Sequence, residues 1–141
     1  ANRYFARIRD YIRENNLEDG VTIKANLPYD QCRQEYLHHD LFVLPSRNEP
    51  AAVSPLEAMS SGMPVICSDT NGTRSYLEEK RNGYIFRSHD LEDLKDKITQ
   101  VISSWDTLTV MGRESYSIVQ EQYLPQRWHN DIIRIIEREL N

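Results

Sequence analysis

Apolar residues recur along this chain in two different patterns, and each pattern predicts a different kind of element. Helical spacing near the amino terminus predicts a first helix, with apolar positions at Phe5, Ile8, Tyr11 and Ile12. From Asp90 onward all the spacing is helical, and it predicts a helix capped by Asp90, another near 107–121 and a third near 126–140. Between these two ends, apolar residues instead form short continuous runs that are typical of strands.

The short runs predict strands that alternate with helices. Four strands are predicted, at 21–23, 41–44, 64–67 and 84–86. Three helices are predicted between them, over about 29–38, from Ser54 to Gly62, and over 73–80.

This alternation predicts the fold class. Strands separated by helices join through right-handed crossovers, so we expect an α/β fold with a mostly parallel sheet and a helical tail over about 107–141. Ligands of such sheets bind beyond the carboxyl ends of the strands. The loops 25–28, 45–54 and 68–73 are therefore the places to look for chemistry.

Composition narrows the class of protein without changing the predicted fold. The 141 residues are 39% hydrophobic and 28% charged, with a mean hydropathy of −0.67, which is typical of one globular domain. No apolar run approaches the roughly 18 residues of a membrane-spanning helix. The net charge of −5 argues against a nucleic-acid partner, which needs a basic surface. Cys32 and Cys67 lie far apart in apolar contexts, which predicts reduced thiols and a cytoplasmic protein.

The segment from Pro45 to Glu57 carries the most chemical information. It places one carboxylate, Glu49, in a loop and another, Glu57, in the first turns of the next helix, with small residues between them. The start of that helix offers unpaired N–H groups, which suit a phosphate. A structural interpretation also fits, because Ser54, Pro55 and Glu57 match an N-cap, a first-position proline and the acidic member of a capping box.

Two further groups of residues are candidates for ligand contact. Arg47 and Arg74 each lie in a predicted ligand loop, where an arginine can supply a cation to a phosphate. The adjacent His38, His39 and Asp40 fit a polar helix end better than a metal site, since neighbouring histidines on a helix point in different directions.

Glu49 and Glu57 are separated by seven residues, and the pattern continues through 56–59 and 62–66. This resembles the E-x7-E region of GT-B glycosyltransferases, in particular the large retaining family 4. Further matching segments follow in the family's order and spacing: Val21-Thr22-Ile23, Leu37 to Asp40, Phe42 to Ser46, Asn82 to Phe86, and Trp128 in the last helix. The resemblance covers nearly the whole chain. It implies the C-terminal, donor-binding, Rossmann-like domain of a GT-B enzyme. Residues 1–141 would then form a single, partial domain.

The resemblance also implies a role for each matched residue. Glu49 would contact hydroxyls of the transferred sugar and is the candidate catalytic residue, while Glu57 would accept hydrogen bonds from the ribose. The backbone N–H groups that would meet the sugar or diphosphate belong to Ala52, Val53 and Ser54. The loop that would hold the base comprises Ala25, Asn26 and Leu27.

Several departures from the family pattern bear on these expectations. The Gly-Phe-Gly that usually follows the first glutamate is Pro50-Ala51-Ala52, and a proline removes one amide donor. The glycine expected after the first strand is Ala25, and the glutamate common after Gly72 is Ser75. The family domain's first βαβ unit, which carries the basic pair for the diphosphate, is absent, and so is the N-terminal acceptor domain. We therefore expect this chain to be part of a longer enzyme and to be inactive alone. Its first residue, Ala1 rather than Met, fits that expectation.

The activity that the resemblance implies is that of a retaining hexosyltransferase. It would transfer a sugar from a nucleotide-diphosphate sugar to an acceptor, in glycan, capsule or lipopolysaccharide synthesis. No metal and no cofactor beyond the donor substrate are implied. The expected location is the cytoplasm, with peripheral membrane association of the full-length protein.

Two other functions remain open at this point. The first is a non-catalytic GT-B-like interaction module, favoured by the segment 50–52 and by the missing basic segment. The second is a nucleotide-sugar epimerase on the same architecture. Titration with donors separates the first from a transferase, and product analysis without an acceptor separates the second.

Overall fold

The computed structural model describes residues 2–140, and the chain divides into two compact units that meet in sequence after Cys32. The first unit contains α1, Asn2–Glu14, which buries Ile12. α2, Tyr29–Leu37, spans the division. Both helices predicted in this part of the chain are therefore confirmed.

The strand predicted at 21–23 is wrong. The structure forms no strand there, and Val21 and Ile23 are 42% and 37% exposed. A β-branched run becomes a strand only when a neighbouring strand pairs with its backbone groups. Residues 2–140 provide no such neighbour for this run, so its composition alone does not make it a strand.

The second unit is built on a three-stranded parallel sheet. Its strands are β1, Phe42–Leu44, β2, Val65–Ser68, and β3, Gly83–Phe86, in the order β1-β2-β3. The register places Val43 beside Ile66, and Ile66 beside Tyr84. The predicted α/β fold with a parallel sheet is confirmed, with three of the four predicted strands.

Helices connect these strands and follow the last of them. They are α3, Ser54–Ser60, α4, Leu91–Val101, α5, Trp105–Gln122, and α6, Pro125–Leu140. The Asp90 side chain accepts the N–H of Asp93, at 2.9 Å, and so caps α4 as predicted. Of the helices described, none combines the length and apolar character needed to cross a bilayer.

The helix predicted over 73–80 is shorter than expected. The structure has a 3-10 helix over Gly72–Tyr76, after which Leu77 is extended. Asn82 explains the early end, because its side-chain oxygen accepts the N–H of Glu78, at 2.8 Å. That N–H is then no longer available to continue a helix.

Both faces of the sheet are covered. Val65 and Cys67 of β2 lie in a cluster with Met59 of α3, whereas Ile66 lies in a second cluster with Val101 of α4. This alternation follows from the two-residue period of a strand. Because the faces are buried, a ligand has access only to the strand ends and their loops.

Candidate functional site

Two loops meet at the carboxyl ends of β1 and β2. The first loop follows Leu44, and the second follows Ser68. Between them lies a cleft of about 460 Å³. Its lining residues are Asn48, Glu49, Pro50, Asp69, Thr70, Asn71, Gly72 and Arg74. The structure thus places Glu49 at the edge of the sheet where the parallel topology predicts a ligand.

A buried asparagine joins the two loops. Asn71 is 1% exposed, and its side-chain N–H donates to the hydroxyl of Ser46, at 3.1 Å. Its side-chain oxygen accepts the hydroxyl of Thr73, at 2.6 Å, and the N–H of the same residue, at 3.1 Å. The hydroxyl of Ser68 adds a second link by donating to the carbonyl of Ser46, at 2.6 Å. A buried amide with all these partners fixes one loop against the other.

Gly72 brings the second loop into direct contact with Glu49. Its N–H donates to the backbone carbonyl of Glu49, at 2.7 Å. A Cβ atom added to Gly72 would lie 1.8 Å from the carbonyl oxygen of Pro50, far inside van der Waals contact. The close approach of the two backbones therefore requires glycine at this position.

The Glu49 carboxylate lies at the cleft and is half-buried. One of its oxygens accepts the N–H of Ala51, at a long distance of 3.4 Å. The preceding residue, Asn48, has a φ of 53°, a left-handed conformation that asparagine tolerates better than most residues. Ionised carboxylate oxygens accept several hydrogen bonds each, so this weak contact leaves most of the acceptor capacity for a ligand.

Glu57 makes a different contact from the one that a capping box requires. Its Oε2 accepts the hydroxyl of Tyr36, at 3.1 Å, across 21 residues of sequence. The helix begins at Ser54, and its N-cap is Val53, whose side chain has no acceptor atom. Pro55 is the second residue of the helix rather than the first. The capping-box interpretation is therefore wrong, and the carboxylate is held by α2 instead.

We predict that Tyr36→Phe lowers the free energy of unfolding by about 1 kcal/mol, because it removes a hydrogen bond to a partly buried carboxylate. Urea denaturation monitored by circular dichroism measures this loss. Tyr29→Phe is the matched control, since Tyr29 is 65% exposed, and it should stay within about 0.5 kcal/mol of the parent chain. Equal stability of the two variants would remove the role that we give to Tyr36.

The remaining predicted contacts of this loop are placed as follows. The N–H groups of Ala52, Val53 and Ser54 have no acceptor among the residues that the structure describes, as is usual at the start of a helix. Arg47 is exposed and does not line the cleft, whereas Arg74 does. The guanidinium of Arg74 is held by a hydrogen bond to the carbonyl of Asp69.

The three residues predicted to hold the base belong to the first unit. Ala25 and Asn26 are exposed and Leu27 is half-buried. Asn26 has a φ of 54°, so the chain turns sharply at this point. The loop lies between the wrongly predicted strand and α2, and it contains no regular element.

Neither metal ligation nor thiol chemistry is evident at the cleft. Within residues 2–140, no three His, Cys, Asp or Glu side chains converge as metal ligands. Burial raises the pKa of the Cys67 thiol to about 11, against smaller lowering effects of Thr73 and Arg74. At neutral pH this thiol is protonated, and it packs in the core as predicted from its apolar context.

Comparison with known proteins agrees with the fold. The family model for glycosyl transferases group 1 matches residues 2–118. The chain belongs to the glycosyl transferases group 1 family. The resemblance inferred from the sequence, to the donor-binding domain of GT-B glycosyltransferases, is thereby confirmed.

Individual glycosyltransferases are similar to this chain in sequence and in structure. A poly(ribitol-phosphate) α-N-acetylglucosaminyltransferase of Staphylococcus aureus is 28% identical over 130 residues, which cover 88% of this chain and 26% of that protein. A crystal structure of a point mutant of S. aureus TarM, in complex with fondaparinux, α-GlcNAc-glycerol and UDP, superposes with a TM-score of 0.78 at 27% identity. The match covers 92% of this chain and 26% of TarM.

A more distant structure shares the fold. Sucrose-phosphate synthase from Thermosynechococcus elongatus superposes with a TM-score of 0.82 at 22% identity, covering 96% of this chain and 34% of that one. The chain spans 18% to 33% of the length of the first curated relatives that it matches.

Proposed function

We propose that this chain is the donor-binding part of a retaining glycosyltransferase that uses a nucleotide-diphosphate sugar. The observation that carries the proposal is the position of Glu49, in a cleft at the carboxyl edge of the parallel sheet, between two loops that are fixed to each other. Membership of the glycosyltransferase family and the UDP bound to the relative TarM support it.

In this proposal each carboxylate binds a pair of hydroxyl groups. A carboxylate only accepts hydrogen bonds, so it suits a sugar, whose hydroxyls donate them. Glu49 binds hydroxyls of the transferred hexose. Glu57, whose Oε2 is already held by Tyr36, accepts hydrogen bonds from the ribose of the nucleotide.

Backbone N–H groups at the start of α3 and the guanidinium of Arg74 bind the diphosphate of the donor. The unpaired N–H groups of Ala52, Val53 and Ser54 donate hydrogen bonds to the sugar or the diphosphate. The base of the nucleotide is bound separately, by Ala25, Asn26 and Leu27. Arg74, rather than Arg47, supplies positive charge, because it lines the cleft beside Glu49. Catalysis then depends on positioning the sugar and on stabilising charge on the departing diphosphate, with no metal and no cofactor.

The rest of the proposal concerns the whole protein. An acceptor domain elsewhere in the polypeptide would complete a hexosyltransferase of glycan, capsule or lipopolysaccharide synthesis, acting in the cytoplasm or at the cytoplasmic face of a membrane. This part alone would bind the donor without transferring the sugar. The relative named as a poly(ribitol-phosphate) α-N-acetylglucosaminyltransferase supports an acceptor that is a polymer.

One prediction separates the two loop arginines. Arg74→Gln should weaken the binding of UDP by roughly tenfold and leave the binding of uridine unchanged, since a charge-assisted hydrogen bond to a phosphate is lost. Arg47→Gln is the matched control and should stay within about twofold. Two-dimensional NMR titration of the chain measures these affinities even when they are millimolar. The assignment of Arg74 fails if both variants bind UDP equally.

A non-catalytic interaction module is the second candidate, and one observation favours it. Pro50-Ala51-Ala52 stands where the family usually has Gly-Phe-Gly, and the backbone carbonyl of Pro50 packs closely against Gly72. The experiment that decides is titration of the chain with UDP-glucose, UDP-N-acetylglucosamine and GDP-mannose. Shifts of cleft residues with any donor support the transferase. An absence of shifts with all three favours the module.

A further inference from the structure

A second and larger cleft lies at the opposite edge of the sheet, where β1 and β2 begin. Its volume is about 650 Å³. One wall is formed by the segments that precede the two strands, including Asp40 and Ser61. The other wall is one face of α5. The cleft is separate from the Glu49 cleft, because the two lie at opposite ends of parallel strands.

Two glycines, Gly62 and Gly112, line the bottom of this cleft. A Cβ atom added to Gly112 of α5 would lie 2.1 Å from the carbonyl oxygen of Gly62. The backbones of α5 and of Gly62 are therefore in direct contact at this point. Gly62 has a φ of 80°, which also favours glycine. At the bottom of the cleft the backbone is therefore exposed at Gly62 and buried at Gly112.

Two aromatic side chains of α5 line the cleft. Trp105 is 68% exposed and Tyr116 is 49% exposed. They are eleven positions apart, close to three helical turns, so they lie on the same face of the helix and about 16 Å apart along its axis. Polar side chains lie between them, with Thr109 one turn after Trp105 and Arg113 one turn before Tyr116.

The aromatic and polar side chains that line this cleft favour one class of ligand over others. A lipid or an apolar peptide needs a continuous apolar lining, whereas this cleft includes Asp40, Arg113 and Ser61. A polyphosphate chain needs a surplus of positive charge, whereas in this cleft the negative charge of Asp40 offsets the positive charge of Arg113. A sugar has apolar ring faces that cover aromatic side chains, and it has hydroxyls that pair with carboxylate, guanidinium and hydroxyl groups.

We propose that this cleft binds an oligosaccharide, with one sugar ring over Trp105 and another over Tyr116. The span between the two aromatic residues is longer than a single sugar ring, so the site takes a chain and not a monosaccharide. The function is an additional one, since it holds a glycan chain at a distance from the donor cleft. It does not depend on donor binding by Glu49.

Intrinsic fluorescence tests the proposal directly. The chain has two tryptophans, and Trp128 is 70% exposed, so Trp128→Phe leaves Trp105 as the reporter at little cost to the fold. The probes are maltotetraose and chitotetraose, each paired with its monosaccharide, glucose or N-acetylglucosamine. We expect a saturable change of emission with at least one tetrasaccharide, and an affinity at least tenfold lower for its monosaccharide.

Two variants identify the site. Tyr116→Ala should lower the affinity for the tetrasaccharide at least fivefold, and circular dichroism should show that its fold is retained, since the ring is exposed. Glu49→Gln should leave that affinity unchanged. The proposal is overturned if neither tetrasaccharide changes the emission, if monosaccharide and tetrasaccharide bind equally, or if Tyr116→Ala binds as the parent does. UDP titration of the same samples reports separately on the donor cleft.

Discussion

Replacing Glu49 by glutamine is expected to abolish the part of donor affinity that comes from the sugar. In the proposal, the Glu49 carboxylate accepts hydrogen bonds from sugar hydroxyls, and a hydrogen bond to a charged group contributes about 1.5–3 kcal/mol. Glu49→Gln should therefore weaken the better of UDP-glucose and UDP-N-acetylglucosamine by roughly 10- to 100-fold. The affinity for UDP should not change, because UDP has no hexose. NMR titration of each variant with the nucleotide and the nucleotide sugar measures both.

The control for this prediction is Glu92→Gln. Glu92 lies on α4, and its exposed side chain pairs only at the surface with Lys95, at 2.8 Å. Removal of that charge changes the net charge by the same amount as Glu49→Gln does, away from the cleft. A Glu49→Gln chain that keeps the preference for UDP-sugar over UDP would refute the role of Glu49.

Gly72→Ala is expected to disrupt the cleft without any loss of a functional side chain. The added methyl group would lie 1.8 Å from the carbonyl oxygen of Pro50, so the loop that carries Glu49 must move. We expect a loss of about 1–3 kcal/mol in the free energy of unfolding, which is typical of overpacking. Donor binding should fall at least tenfold, because the N–H of Gly72 also holds the backbone of Glu49.

Gly20→Ala is the matched control for the same chemical change. A Cβ atom at Gly20 would meet nothing closer than the carbonyl oxygen of Leu17, at 3.9 Å. Its stability should stay within about 0.5 kcal/mol of the parent. Urea denaturation and NMR titration of both variants make the comparison. Undiminished donor affinity of a folded Gly72→Ala chain would show that the contact does not position Glu49.

The elements that follow from local sequence were predictable. The runs predicted as strands at 41–44, 64–67 and 84–86 contain most of β1, β2 and β3, because their apolar residues can pack against both faces of the sheet. Asp90 caps α4 through a residue three positions away. Such contacts need no knowledge of distant parts of the chain. The position of Glu49 at the edge of the sheet also followed from topology alone.

The features that sequence missed depend on distant partners. The run 21–23 has the composition of a strand and lacks a neighbour to pair with among residues 2–140. Glu57 fits a capping box by spacing, but Tyr36, 21 residues earlier, holds its carboxylate. Asn71 and Gly72 were recognisable as a turn, yet their contacts with Ser46 and Glu49 cross more than 20 residues. No local pattern carries that information.

The most direct test of the central claim is a crystal structure of the chain with a bound nucleotide-diphosphate sugar. The account predicts carboxylate oxygens of Glu49 at about 2.5–3.0 Å from hydroxyls of the hexose, and carboxylate oxygens of Glu57 at similar distances from the ribose hydroxyls. A donor bound elsewhere, or bound in the cleft with its hexose turned away from Glu49, would contradict it.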